Sequence, residues 1–172
     1  MRFRNALLGL ISIAISVAGT LVAAELFLRL LPVNEGLRAL AVNERQPIFR
    51  FQPNRTSTWS EGWNFEIVNR VHVNADGFVN DRDYDPQGVS PLLAVVGDSY
   101  IEAGIVPFVQ TVQGRLGTMV DGRGRVYSFG ASGAGMSQYL VWVSYARDRY
   151  TPSAVMVNIV SNDFSESLYH RG

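Results

Sequence analysis

Leu92-Leu93-Ala94-Val95-Val96-Gly97-Asp98-Ser99-Tyr100 is the stretch that decides how this chain folds. Five consecutive apolar residues read as a buried strand, and the strand stops at a turn of small residues. Such a turn presents a hydroxyl at the carboxyl edge of a parallel sheet, where open α/β folds put their chemistry. Ser99 is therefore the candidate nucleophile, with Gly97 and Asp98 as supporting residues of its turn. Taken alone, Gly-Asp-Ser is ordinary turn chemistry.

Two later segments change that reading. Tyr127-Ser128-Phe129-Gly130-Ala131-Ser132-Gly133-Ala134-Gly135 follows a short strand, and Val155-Met156-Val157-Asn158-Ile159-Val160 runs into Ser161-Asn162-Asp163-Phe164. Three strand ends at spacings suited to β-α-β crossovers, each carrying polar groups, point to one shared edge and one site. Between them, Pro107 to Val120 predicts a crossover helix with Phe108, Val112, Leu116 and Met119 inward. Gly135 to Arg149 predicts a second, with Tyr139, Leu140, Val143 and Ala146 inward, ended by Tyr150-Thr151-Pro152. Glu102, three residues past Ser99, takes the plain role of supporting a helical first turn.

With these blocks in place, residues 90–165 resemble the SGNH hydrolases, also called the GDSL esterase and lipase family. Three of that family's four motif blocks are present in order. The resemblance implies a flavodoxin-like three-layer α/β/α fold, of which the chain would hold the amino-terminal part. It also implies Ser99 as nucleophile, with its own N–H, the Gly133 N–H and the Asn162 side chain as oxyanion donors. The physics agrees: an ester carbonyl turning tetrahedral develops negative charge, and each fixed donor in a dry pocket contributes roughly 3 to 4 kcal/mol. Glycine at 133 is read as allowing close approach of the backbone. Asp163, following Asn162, is a supporting residue.

The chain departs from the family at two points. Val160 stands where a glycine is usual two residues before the block-three asparagine. The fourth block, an Asp-x-x-His supplying the base and its orienting carboxylate, is absent, and a serine hydroxyl is a poor nucleophile without a base. His170 is eight residues past Asn162, and His72 precedes the first sheet strand. Neither has a carboxylate three residues ahead, since those positions are Ser167 and Asn69. The expectation is that these 172 residues are the front part of a longer protein, the alternative being a short chain that keeps the pocket and has lost catalysis.

The amino end carries a different signal. Ala6 to Ala24 is a run of 19 uncharged residues, and apolar character continues to Leu31, broken only by Glu25 and Arg29. That length spans a bilayer as a helix, with Glu25 and Arg29 paired on one face. An uncleaved anchor is the preferred reading, and a signal peptide cut after Val22-Ala23-Ala24 is the alternative. Arg2, Arg4 and the terminal amine place the amino end in the cytoplasm and the globular part outside it, against a weak bias from Arg29, Arg38 and Arg45. The organisation expected is an anchor or signal segment at 1–32, a linker and extended preamble at 33–90, and the hydrolase domain, incomplete, at 91–172.

Composition narrows the remaining classes. Fifteen basic and fifteen acidic residues balance, so there is no basic surface for a nucleic acid. Every basic residue is arginine, which is read as nucleotide bias in the source. Cysteine is absent and the two histidines lie far apart, arguing against disulfides and a zinc site. No cofactor is expected. In the preamble, Phe65 to Val68 and Arg70 to Val73 predict a hairpin or edge strand, with Asn74-Ala75-Asp76-Gly77 as a turn. Membrane-anchored members of the resembled family carry a similar Asn-x-x-Gly-Phe, here Asn74 to Phe78, read as shaping a pocket wall. Asp81, Asp83 and Asp85 alternate as in a calcium loop, but Pro86 and Leu92 occupy the positions of its glycine and glutamate, so a solvated acidic turn is preferred. Asn54-Arg55-Thr56 fits a glycosylation sequon. Trp59, Trp63 and Phe65 are read as satellite core, or as a sugar or interface surface. The function expected is a membrane-anchored serine esterase acting on acyl, chiefly acetyl, groups of an extracytoplasmic glycan. A non-catalytic envelope glycan-binding or assembly module and an O-acyltransferase are the alternatives.

Overall fold

The computed structural model of the chain describes residues 2–169, in two compact units that divide between Val33 and Asn34. The first is one helix, α1 (Arg2–Leu28), of which Phe3–Leu28 is long and apolar enough to cross a membrane. Those residues rise about 39 Å as a helix, against roughly 30 Å of hydrocarbon. The predicted pair forms at its end: Arg29 Nε donates to Glu25 Oε1 at 2.8 Å. Thr20, one of the polar residues within the run, donates its hydroxyl back to the Ser16 carbonyl at 2.9 Å.

The second unit is a mixed α/β body. Strands β1 (Arg55–Glu61) and β2 (Ile67–Val73) pair antiparallel, from Arg55 opposite Val73 to Glu61 opposite Ile67. Of the hairpin or edge strand expected within 65–73, the edge strand is what forms. Nothing at Asn69 turns the chain, so Ile67 to Val73 run as one strand. The reversal falls instead at Gly62 and Phe65, both with positive φ, where Phe65 N–H closes on the Gly62 carbonyl at 3.1 Å. The Asn74–Gly77 turn forms as expected, with Gly77 at φ +86° and its N–H on the Asn74 carbonyl.

Three further strands, β3 (Leu92–Gly97), β4 (Arg125–Gly130) and β5 (Ala154–Val157), make a parallel sheet in the order β4-β3-β5. Between β3 and β4 come α2 (Ser99–Glu102), a 3-10 turn (Phe108–Gln110) and α3 (Val112–Met119). Between β4 and β5 comes α4 (Met136–Tyr150), and α5 (Ser161–Tyr169) follows β5. The chain leaves β3 toward one side and returns across it to β5, so right-handed crossovers put α2 and α3 on one face and α4 on the other. Alternation along β3 agrees. Leu92, Ala94 and Val96 pack with Tyr139 and Trp142 of α4 in the main core, which leaves out the equally buried Val95 and Ile101. The carboxyl ends of β3 and β5 thus flank the point where the connections diverge, the usual position of a site in an open α/β sheet.

The main core is aromatic and joins the preamble to the sheet. Phe78 packs edge-on to Phe129 at 4.8 Å, and Tyr84 stacks on Tyr127 at 4.0 Å. Trp142, fully buried, donates its indole N–H to the Phe49 carbonyl at 3.1 Å. Two predicted helix faces need correction. In α3 the buried residues are Gln113 and Gly114, whereas Val112 and Met119 are 40% and 69% exposed. The helix docks through a polar contact, Gln113 Nε2 to the Ile101 carbonyl at 2.6 Å, and through a backbone approach to Phe108 that only Gly114 permits. In α4, Tyr139, Trp142, Ala146 and Tyr150 face inward and Leu140 is 69% exposed, because the large rings fill the space Leu140 was expected to take.

The sheet's two edges are finished differently. On β4, the Tyr84 hydroxyl donates to the Ser128 carbonyl at 2.6 Å and accepts from the Ser128 N–H at 2.9 Å, so one phenol satisfies both outward backbone groups. Burial pushes the Tyr84 phenol well above its ordinary value despite the opposing pull of the Ser128 bonds, which keeps it a donor. On β5 nothing comparable is present among the described residues, and Val155, Met156 and Val157 are 38 to 42% exposed.

Candidate functional site

The site grows from the end of β3. A side chain at Gly97 would lie 2.5 Å from Ile101 Cγ1 and 3.2 Å from Asn158 Cβ, so glycine lets the chain turn straight from strand into α2. Asp98 caps that helix, accepting the Tyr100 N–H at 3.0 Å. It is fully buried, while Ser99 stands exposed beside it.

The other carboxylate oxygen of Asp98 is where the site converges. Asp98 Oδ2 accepts the Ser99 hydroxyl at 3.3 Å and the Asn162 side-chain N–H at 3.1 Å. Ser99 and Asn162, 63 positions apart, are thereby brought to one oxygen at the divergence of the strand connections. Asn162 gives its second N–H to Glu166 Oε1 at 3.2 Å. Both hydrogens of the amide are engaged by carboxylates, so Asn162 reaches a substrate oxygen only by exchanging one of them.

Asp163 is placed as a support. Fully buried, it accepts the Tyr139 hydroxyl and the Val160 N–H, each at 2.7 Å, and so ties the start of α5 to α4. Burial, and then the bond to Asp163, raise the Tyr139 phenol far above its usual range. Carboxylate oxygens of Asp98, Asp163 and Glu166 lie within 4.8 Å of one another, the closest acidic grouping among the described residues. Protein N–H and O–H donors already engage all three.

Gly133 sits in the loop between β4 and α4, at φ +78°. The reason for glycine there differs from the one expected: a Cβ would meet no protein atom within 4 Å, and the left-handed backbone is what requires it. The residue lines a cavity of about 320 Å³ walled by Phe49, Gln138 and residues 131–135. The structure does not put Gly133 in contact with Ser99. It joins the two through Glu102, whose buried carboxylate accepts the Ser132 N–H. Burial, eased by that bond, raises the Glu102 carboxyl above its ordinary value.

Glu102 is thus the residue that sequence reasoning undervalued. A carboxylate three residues from the nucleophile was the available signal, but its partner lies 30 positions away. Asn69 was missed as well. Its side-chain N–H groups donate to the Gly104 and Val106 carbonyls at 2.9 and 2.7 Å, gripping the loop after α2 from β2. Trp59 of β1 packs against Gly104, while Trp63 is 94% exposed, so the tryptophans do not form one cluster. Asp83 and Asp85 accept the Ala75 and Gln87 N–H groups at 2.8 Å, as an acidic turn does. His72 pairs with Thr56 Oγ1 at 3.2 Å on the β1–β2 sheet and makes no bond to Ser99; His170 lies outside the described residues.

No protein-family model matches this chain, and no curated protein matches it.

Proposed function

We propose that the chain is a membrane-anchored acyl-ester hydrolase or acyltransferase of SGNH type that works through an acyl-serine at Ser99. The observation that carries the reading is the convergence of the Ser99 hydroxyl and the Asn162 amide on Asp98 Oδ2 at the carboxyl edge of a parallel sheet. Ser99 Oγ adds to the ester carbonyl, the ester C–O bond breaks, and the alcohol leaves with the proton that Oγ gives up. Water, or a second hydroxyl in a transfer, then takes the acyl group. The oxyanion is held by the Ser99 and Gly133 N–H groups and by Asn162 once it has released a carboxylate. In the resembled family an imidazole beside the serine holds that proton; among the described residues the group bonded to Ser99 Oγ is Asp98. The apolar helix and the family resemblance together support an acylated glycan outside the cytoplasmic membrane as substrate.

A second reading rests on a specific observation: among the described residues the acceptor that Ser99 Oγ touches is a carboxylate, Asp98, and no imidazole. A chain left in that state binds acylated glycan without cleaving it. The deciding experiment treats the full chain in detergent micelles with a biotinylated fluorophosphonate, whose fluoride is displaced by an activated serine. Labelling at Ser99, lost in Ser99→Ala, supports the acyl-serine reading. Retention of acetylated polysaccharide with no labelling supports the binding module instead.

A further inference from the structure

We infer that Glu102 is the positioning residue of the oxyanion loop: its carboxylate fixes the Ser132 amide, and through it the orientation of the neighbouring Gly133 N–H, relative to Ser99. The inference rests on the acyl-serine reading and adds to it a residue that never touches the substrate. Glu102 closes α2, the helix that Ser99 opens, so nucleophile and clamp share one turn of rigid backbone. That turn is itself held. Gln113, almost fully buried, binds the Ile101 carbonyl at 2.6 Å, and Ala103 leaves the helix at φ +47°. Its packing against β4 is equally tight, since a Cβ at Gly130 would come within 2.9 Å of Ile101 and 3.1 Å of the Glu102 nitrogen.

Besides Glu102, the loop has one tie of its own across Ser132 and Gly133, the Ala134 N–H on the Ala131 carbonyl at 3.2 Å. Its far end is pinned, with the Met136 N–H on Ser167 Oγ at 2.9 Å and no room for a side chain at Gly135 beside Ser167. Between the pins, Ser132 and Gly133 are exposed and face open space. A loop fixed at both ends with one glycine between presents its N–H in one direction, and donors held in advance are the ones that stabilise a developing charge. The bond from Ser132 to a carboxylate also polarises the peptide groups of the loop. Removing the front pin leaves Ser132 and Gly133 held across their own turn by the Ala134–Ala131 bond alone, and the Gly133 N–H then loses its fixed direction.

Three variants of the full chain in detergent micelles test this: Glu102→Gln keeps the reach and an acceptor oxygen, Glu102→Asp keeps the charge and loses the reach, and Glu102→Leu loses both. Two readouts are taken on each, the hydrogen-exchange protection of the Ser132 amide and the second-order rate of Ser99 capture by the fluorophosphonate. The expected result is that Glu102→Gln retains protection and captures within about threefold of the parent, while Glu102→Asp and Glu102→Leu lose protection and slow by about a hundredfold, the scale of one oxyanion donor. Rescue by Asp and not by Gln overturns the inference, because charge rather than reach would then be what Glu102 supplies. Loss of protection with unchanged capture overturns it too, since the loop would then hold no donor. If the parent is not captured at all while the Ser132 amide stays protected in Glu102→Gln alone, the tie to the loop stands and the acyl-serine reading fails. Should Glu102→Leu fail to fold, the contrast between Gln and Asp still decides.

Discussion

The two outer strands of the parallel sheet, β4 and β5, end in opposite conditions. At β4 the preamble folds over the edge. Tyr84 bonds both outward groups of Ser128, the Ser128 hydroxyl donates to the Val79 carbonyl at 2.8 Å, and the Arg125 guanidinium gathers the Asp85, Gly88 and Ser90 carbonyls. At β5 the valines and Met156 face solvent on both sides of the strand. Edge protection here comes both from the preamble, through Tyr84, and from polar side chains of β4 itself, Arg125 and Ser128, which β5 lacks. Ser99 opens α2 just past the middle strand, between these conditions, and its hydroxyl and the Asn162 amide both donate to Asp98 Oδ2.

The largest expected effect breaks the closed side. Trp142→Ala removes a fully buried ring that packs on the preamble and costs about 3 to 5 kcal/mol, read by urea unfolding of the full chain in micelles by far-UV circular dichroism. Next comes Tyr84→Phe, which strands the Ser128 N–H and carbonyl and costs about 1 to 3 kcal/mol. Its signature is faster hydrogen exchange at Ser128, with no change along β5.

The third prediction concerns pH. Glu102 has its carboxyl raised in the folded state, so the folded protein binds this proton more tightly than the unfolded chain does. Its contribution to stability is present below the ordinary glutamate range and falls as pH rises toward the folded value, with a slope of at most about 1.4 kcal/mol per pH unit. Asp81, raised by burial against a smaller opposing pull from His72, acts in the same sense. Glu102→Gln flattens the Glu102 part of that slope in unfolding curves taken across the acidic range. The smallest effect sharpens the open side: Met156→Lys changes stability by no more than about 0.5 kcal/mol, because the side chain already meets solvent.

What the sequence reveals and what it hides follow the same division between local and distant partners. Leu92 to Val96, the three polar strand ends and the Glu25–Arg29 pair are legible because their signal lies within a few residues. Asp98 is legible only as a residue of the Ser99 turn. Its bridge from Ser99 to Asn162 depends on where β5 returns, which only the pairing of β5 with β3 establishes. The inward face of α3 was misread because hydrophobic periodicity weighs Val112 and Met119 and gives no weight to a buried amide or a glycine contact, and those were what docked the helix. In sequence the strand at 67–73 stays open between a hairpin and an edge strand because its partner, Arg55–Glu61, is polar on most positions and gives no alternation of its own.

The Tyr84 plug also decides what the β4 edge can offer to another chain. A phenol that occupies both outward groups of Ser128 leaves that stretch of backbone neither donor nor acceptor, so a foreign strand could pair along it only after Tyr84 was drawn out.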